Sequence, residues 1–84
     1  MTRDDVKAML IRRACEAVPE LKVEDIHPDK SYREMGIDSL ALMAILSAAM
    51  KEMKIKIPRD KIGGINSLNG LADLLARAAN LPGA

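Results

Sequence analysis

Residues 39–53, SLALMAILSAAMKEM, hold neither glycine nor proline, and they follow Gly36, Ile37 and Asp38. An apolar run of good helix formers behind an acid and a glycine has one economical solution. Asp38 caps the first turn of a helix and Gly36 lets the chain swing in to meet it. The pattern predicts a helix over Ser39 to Met53. Its longest apolar run, Leu40 to Leu46, is far shorter than the about 20 residues that a membrane span requires, so no membrane insertion is expected.

The flanking segments fit a bundle around that helix. Thr2 can cap a first helix with Asp4 and Asp5 in its opening turn, and Val6, Met9, Leu10, Ala14, Ala17 and Val18 recur at helical spacing until Pro19 ends it near Val18. From Pro19 to Asp38 the period is lost. Leu21, Val23, Ile26, Tyr32 and Met35 remain as apolar anchors for a long ordered loop, with a short turn expected at Val23–Ile26. A loop of that length in a small domain usually serves a function. Ile55 to Pro58 reads as an extended connector, Arg59 to Ile65 as a short third helix weakened by Gly63 and Gly64. Asn66 or Ser67 caps a last helix through about Ala79, with Leu68, Leu71, Leu74 and Leu75 on one face, stopped by Asn80 and Pro82.

Tyr32 is the only aromatic residue of the 84, and a core of Leu, Ile, Met, Val and Ala favours packed helices over a β-sandwich. The expected fold is therefore all-α: one domain over residues 1–84, a small four-helix bundle of three main helices and one short helix, with a long loop between helices 1 and 2. The formal charge of +1 indicates neither a nucleic-acid surface nor an acidic tail. The lone Cys15 excludes an intrachain disulfide, and no cationic stretch leads into a long apolar segment, so a cytoplasmic monomer is the expectation. His27 beside Pro28 reads as a loop histidine and Cys15 as a small packed residue. A metal site or a Cys–His nucleophile pair would require those two to meet, so neither a metal nor a catalytic residue is expected. Gly63-Gly64 lacks the spacing of a phosphate-binding loop.

Taken alone, Asp38-Ser39 reads as an ordinary helix start, since both residue types prefer that place. The order of features along the chain nevertheless resembles the acyl carrier protein family. The resemblance covers nearly the whole sequence and is sharpest at "GIDSL", Gly36 to Leu40, which matches the family's Gly-x-Asp-Ser-Leu signature; Tyr32-Arg33-Glu34-Met35 fits the aromatic-x-Glu-Leu pattern leading into it, with Met in place of Leu. The resemblance implies that Ser39, flanked by Asp38 and Leu40, receives a 4′-phosphopantetheine arm from coenzyme A through a magnesium-dependent phosphopantetheinyl transferase. Acyl groups then ride as thioesters on the arm. A helix N-terminus suits the phosphodiester of such an arm.

Within the second helix, Leu42, Ile45, Leu46, Ala49 and Met53 form a core stripe at i, i+3, i+4 and i+7. Leu40, Met43, Ala44, Ser47 and Met50 line an adjacent face, which the resemblance turns toward partner enzymes. Where acidic fatty-acid carriers place carboxylates, this chain has Ala41, Ala44, Met50 and Lys51, leaving Glu52 and Asp38 as the acids nearby. Docking through Leu40, Met43, Ala44, Met50 and Lys51 is then expected to rest on apolar contact more than on charge, with burial of the methionines in the core as the alternative. Tyr32 stands one residue closer to the serine than in the common bacterial fatty-acid type. That spacing resembles the carrier domains of polyketide assembly lines, and the resemblance implies a discrete carrier of polyketide or specialised lipid synthesis, served by acyl-loading and chain-elongating or modifying enzymes. A cleft between the second and third helices, lined by Leu46, Ile57, Ile62 and Leu71, is expected to shelter part of the cargo. Two other readings stay open: a peptidyl or aminoacyl carrier using the same serine, and an unmodified helical adaptor binding through the Leu40/Met43/Met50 face.

Overall fold

A reciprocal cap starts the chain: the Asp5 N–H donates to Thr2 Oγ1 and the Thr2 N–H donates to Asp5 Oδ2 at 2.8 Å, opening helix α1, Arg3–Ala17. The computed structural model describes residues 1–81. α1 presents Val6, Met9, Leu10 and Ala14 to the interior and packs against both other long helices, α2 (Ser39–Met53) and α4 (Leu68–Ala78). The one-turn α3, Arg59–Ile62, completes the set, so the described residues form the expected all-α bundle. Salt bridges lie along the seams of α1: Arg3 pairs with Asp73 of α4, while Arg12 and Arg13 both reach Glu52 of α2.

α2 begins and ends where the sequence places it. Asp38 Oδ1 accepts the Ala41 N–H at 2.8 Å, and at the other end Lys54 adopts a left-handed backbone with φ 58° while the Ile55 N–H returns to the Met50 carbonyl at 3.0 Å. Ser67 is the cap of α4, and Gly70 in its first turn has a steric reason: a Cβ there would stand 3.0 Å from Ile65 Cγ2. α3 stops at Ile62 rather than Ile65, because the two glycines that follow loosen the chain. The α4 helix ends at Ala78, with Ala79 closing it and Asn80 at φ 55°; Pro82, expected as a stop, lies outside the described residues.

The connection between α1 and α2 carries more structure than expected. Beside the turn Val23–Asp25, a second 3-10 turn forms over Tyr32–Met35, because Ser31 and Glu34 cap it reciprocally and Gly36 closes it at φ 78°. Leu21, Ile26, Tyr32 and Met35 are buried as anchors, but Val23 is 66% exposed, since its turn carries Ile26 rather than Val23 inward. The connection is stitched to the head of α4. Tyr32 donates its N–H to the Asn66 carbonyl and its hydroxyl to the Ser67 carbonyl, both at 2.9 Å, and the Asn69 N–H reaches the Pro28 carbonyl at 3.0 Å.

These contacts set two expectations. Leu46 is 0% exposed, so Leu46→Ala should lower unfolding free energy by about 2–5 kcal/mol in urea denaturation. Burial pushes the Tyr32 phenol up from 10.0 to about 12. The folded state therefore keeps a proton that the unfolded chain releases, and stability falls as pH rises from 10.0 to about 12 while remaining unaffected by this group below that window. Tyr32→Phe should lose about 1–2 kcal/mol near neutral pH, where the Ser67 carbonyl loses its donor. It should also show a shallower alkaline decline than the parent in urea unfolding compared at about pH 8 and about pH 11.

Candidate functional site

Four consecutive residues divide the work at the head of α2. Gly36 turns the chain, and Ile37 plants its side chain in the core at 1% exposure, with its N–H held by the Tyr32 carbonyl at 3.0 Å. Asp38 caps the helix, and Ser39, the first helical residue, is left exposed. Ile37 is the one buried residue among the four, and its anchoring in the core fixes the direction in which the chain enters the helix.

The electrostatics of this corner favour a bound anion. Asp38 uses one carboxylate oxygen on the Ala41 N–H, and its carbonyl accepts the Leu42 N–H at 2.8 Å. The N–H groups of Ser39 and Leu40 have no acceptor among the described residues. They stand at the positive end of a 15-residue helix, beside an exposed hydroxyl. A phosphodiester on Ser39 Oγ would bring acceptor oxygens to those two donors, so the residues present fit a 4′-phosphopantetheine group.

Beside Ser39 lies a cavity of about 400 Å³, walled by apolar Ile37, Leu42 and Ile65 and edged by Arg33 and Asn66. Tyr32 is also among its lining residues. On the other flank of α2, a hollow of about 460 Å³ separates Val18 and Pro19 from Leu40 and Ala44. Leu40 stands 84% exposed at its rim.

The other residues named from sequence fall into three groups. Ala44 and Lys51 are exposed like Leu40, and Met43 is half-buried. Met50 leans inward: it packs against the core, and its sulfur accepts the Ile57 N–H at 3.4 Å. Leu46 and Leu71 are fully buried, Ile57 nearly so, and Ile62 packs partly exposed against the core. None of these last four lines the cavity beside Ser39, whose walls come from Ile37, Leu42 and Ile65 instead. Sequence alone does not bring these walls together, because helical period places Leu42 in the core stripe and Ile65 in the third helix. The one available signal was Ile37 itself, an isoleucine held between Gly36 and Asp38.

Cys15 is half-buried along α1 and His27 is exposed in the loop. Among the described residues no three His, Cys, Asp or Glu side chains gather as a metal site would need, and no helix is long and apolar enough to cross a membrane.

Comparison with known proteins gives a consistent answer. The family described as the phosphopantetheine attachment site matches residues 10–75, which span the long loop, all of α2 and most of α4. The polyketide biosynthesis acyl-carrier-protein AcpK of Bacillus subtilis is 29% identical over 75 residues, covering 89% of this chain and 92% of that protein. The acyl carrier protein of Streptomyces coelicolor is 32% identical over 66 residues, 77% of this chain and 72% of that one. A stretch amounting to 2% of the reducing polyketide synthase PKS1 of Cochliobolus heterostrophus is 32% identical to 74% of this chain. No solved structure matches. With the family's attachment site matched across most of its length, the chain belongs to the acyl carrier proteins, whose prosthetic group is 4′-phosphopantetheine.

Proposed function

We propose that Ser39 is the residue that bears the arm, and that the chain carries acyl intermediates for polyketide or specialised lipid synthesis without catalysing a reaction itself. The observation that carries this reading is the exposed Ser39 hydroxyl beside two unpaired N–H groups at the head of α2. The arm, once attached, supplies a thiol that holds an acyl group as a thioester.

The chain's own residues present the serine and leave the chemistry to the transferase. Ser39 Oγ forms a bond to phosphorus as the phosphoanhydride bond of coenzyme A breaks, and adenosine 3′,5′-bisphosphate leaves. Asp38 is the adjacent carboxylate, and one of its oxygens holds the helix start through the Ala41 N–H. In this reading the base that takes the serine proton comes from the transferase. The Ser39 and Leu40 N–H groups offset the negative charge that the phosphodiester brings.

The partner-facing surface is read from exposure. Leu40, with Ala44 behind it, offers an apolar contact next to Ser39, and half-buried Met43 can adapt to different enzymes. Partners in this reading are the phosphopantetheinyl transferase and the acyl-loading, elongating or modifying enzymes. The polyketide assignment is supported by the similarity to a polyketide biosynthesis acyl-carrier-protein and to part of a reducing polyketide synthase, and by the uncharged residues at Ala41, Ala44 and Met50 of α2. A tethered cargo reaches each enzyme at high effective concentration, which is why the carrier itself can be small and chemically inert.

Incubation with coenzyme A, magnesium and a broad-specificity phosphopantetheinyl transferase should add one arm to the purified protein by intact mass and none to Ser39→Ala. Because the serine side chain is exposed and makes no hydrogen bond among the described residues, Ser39→Ala should change unfolding free energy by less than about 0.5 kcal/mol. An unmodified parent, or a modified Ser39→Ala, would contradict the assignment.

A further inference from the structure

The far end of α2 differs in character from its head. Lys51, Lys54 and Lys56 surround a hollow of about 650 Å³ whose apolar floor is Met50 and Ile55, with Ser47 at the edge. All three lysines are exposed, and none forms an ion pair among the described residues. From Lys51 to Lys61 the chain carries five basic residues against two acids, Glu52 and Asp60. Glu52 does not line the hollow, and its carboxylate pairs with Arg12 at 3.2 Å and Arg13 at 3.3 Å on α1.

We infer that this end of α2 is a docking surface for an acidic patch on a partner protein, with an apolar side chain of that partner seated over Met50 and Ile55 between carboxylates that meet the three lysines. Two features of the patch select this occupant. Unpaired ammonium groups on a rim call for carboxylates, and a concave apolar floor calls for a protruding side chain to fill it. A flat anionic membrane would satisfy the lysines and leave the hollow empty. A nucleic acid is disfavoured by the +1 overall charge and because no aromatic residue lines this hollow for bases to stack on.

The inference deepens the carrier reading and rests on it for the partner's identity as an enzyme acting on the cargo. The charge argument does not itself involve Ser39. In this arrangement the lysine end fixes how the carrier sits on its partner while Leu40 and Ser39 face the entrance through which the arm is delivered. The two ends of α2 are about 20 Å apart at 1.5 Å per residue, so one partner surface can engage both.

The test uses the isotopically labelled full chain, titrated by NMR with two synthetic amphipathic helical peptides that share a leucine pattern, one flanked by glutamates and the other by lysines. The glutamate peptide should shift the amides of Met50, Lys51 and Lys54–Lys56 saturably, and the lysine peptide should not. Lys51→Glu combined with Lys56→Glu should weaken the glutamate peptide by about tenfold or more. Lys22→Glu with Lys30→Glu, the same change in net charge placed on the loop, should weaken it less than about twofold. Lys54 is left unchanged because it ends the helix in a left-handed conformation. Equal responses to the two peptides, shifts confined elsewhere, or equal losses in the two double variants would overturn the inference. So would phosphatidylglycerol vesicles shifting these amides where the glutamate peptide does not. Arm addition measured by mass on the same samples keeps the readings apart: failure of the titration with Ser39 modified overturns the docking surface alone, whereas an unmodifiable Ser39 overturns the carrier assignment.

Discussion

The pair of hydrogen bonds from Tyr32 to the Asn66 and Ser67 carbonyls joins the long connection to the head of α4, and the presentation of Ser39 depends on it. A connection from Val18 to Asp38 has a large conformational entropy to lose, and its apolar anchors alone would fix its burial but not its register. Tyr32 supplies the register. Its buried ring holds the second 3-10 turn in place, its carbonyl accepts the Ile37 N–H, and Ile37 in turn directs the chain into α2. The same residue that lines the cavity beside Ser39 thus sets the angle at which the serine emerges.

The polar side chains of the site lie outside the core, which suits so small a domain. Among the described residues the buried side chains are apolar except for the Tyr32 hydroxyl, which donates to the Ser67 carbonyl. Ser39, Asp38 and the three lysines at the far end of α2 are exposed, so the face proposed for attachment and docking takes little from the burial that holds the bundle together. The salt bridges of Glu52 to Arg12 and Arg13 do more than brace α1 against α2: they engage the Glu52 carboxylate, which does not line the lysine hollow. Such part-exposed pairs add little to stability, and their larger effect is on the distribution of charge over the surface.

Much of this was legible in the residues. Asp38 and Thr2 announce their helices because a short polar side chain before an apolar period has a specific hydrogen bond to make, and α1 and α2 begin where those residues lie. The second 3-10 turn was missed although Ser31 and Glu34 have the spacing of a reciprocal cap, because no apolar period follows them to mark a helix. α3 was drawn too long for a related reason: apolar Ile65 suggests continuation, but Gly63 and Gly64 lower the helical tendency below what one turn can sustain. The cavity walls depend on which side chains from four separate segments converge, and period within one helix carries no information about that. The head of α2 is partly local: Gly36 and Asp38 each answer a backbone requirement, one with its left-handed turn and the other with its cap, whereas Ser39 differs from an ordinary helix start only through the family resemblance of the residues around it.

The most direct measurement is to locate the arm by tandem mass spectrometry of peptides from the transferase-treated protein. The chain has four serines, Ser31, Ser39, Ser47 and Ser67, and Ser31 also borders the cavity beside Ser39. The account predicts modification of Ser39 and of no other serine, because it alone is an exposed hydroxyl at the head of a long helix with unpaired donors beside it. An arm found on Ser31, Ser47 or Ser67 would contradict it.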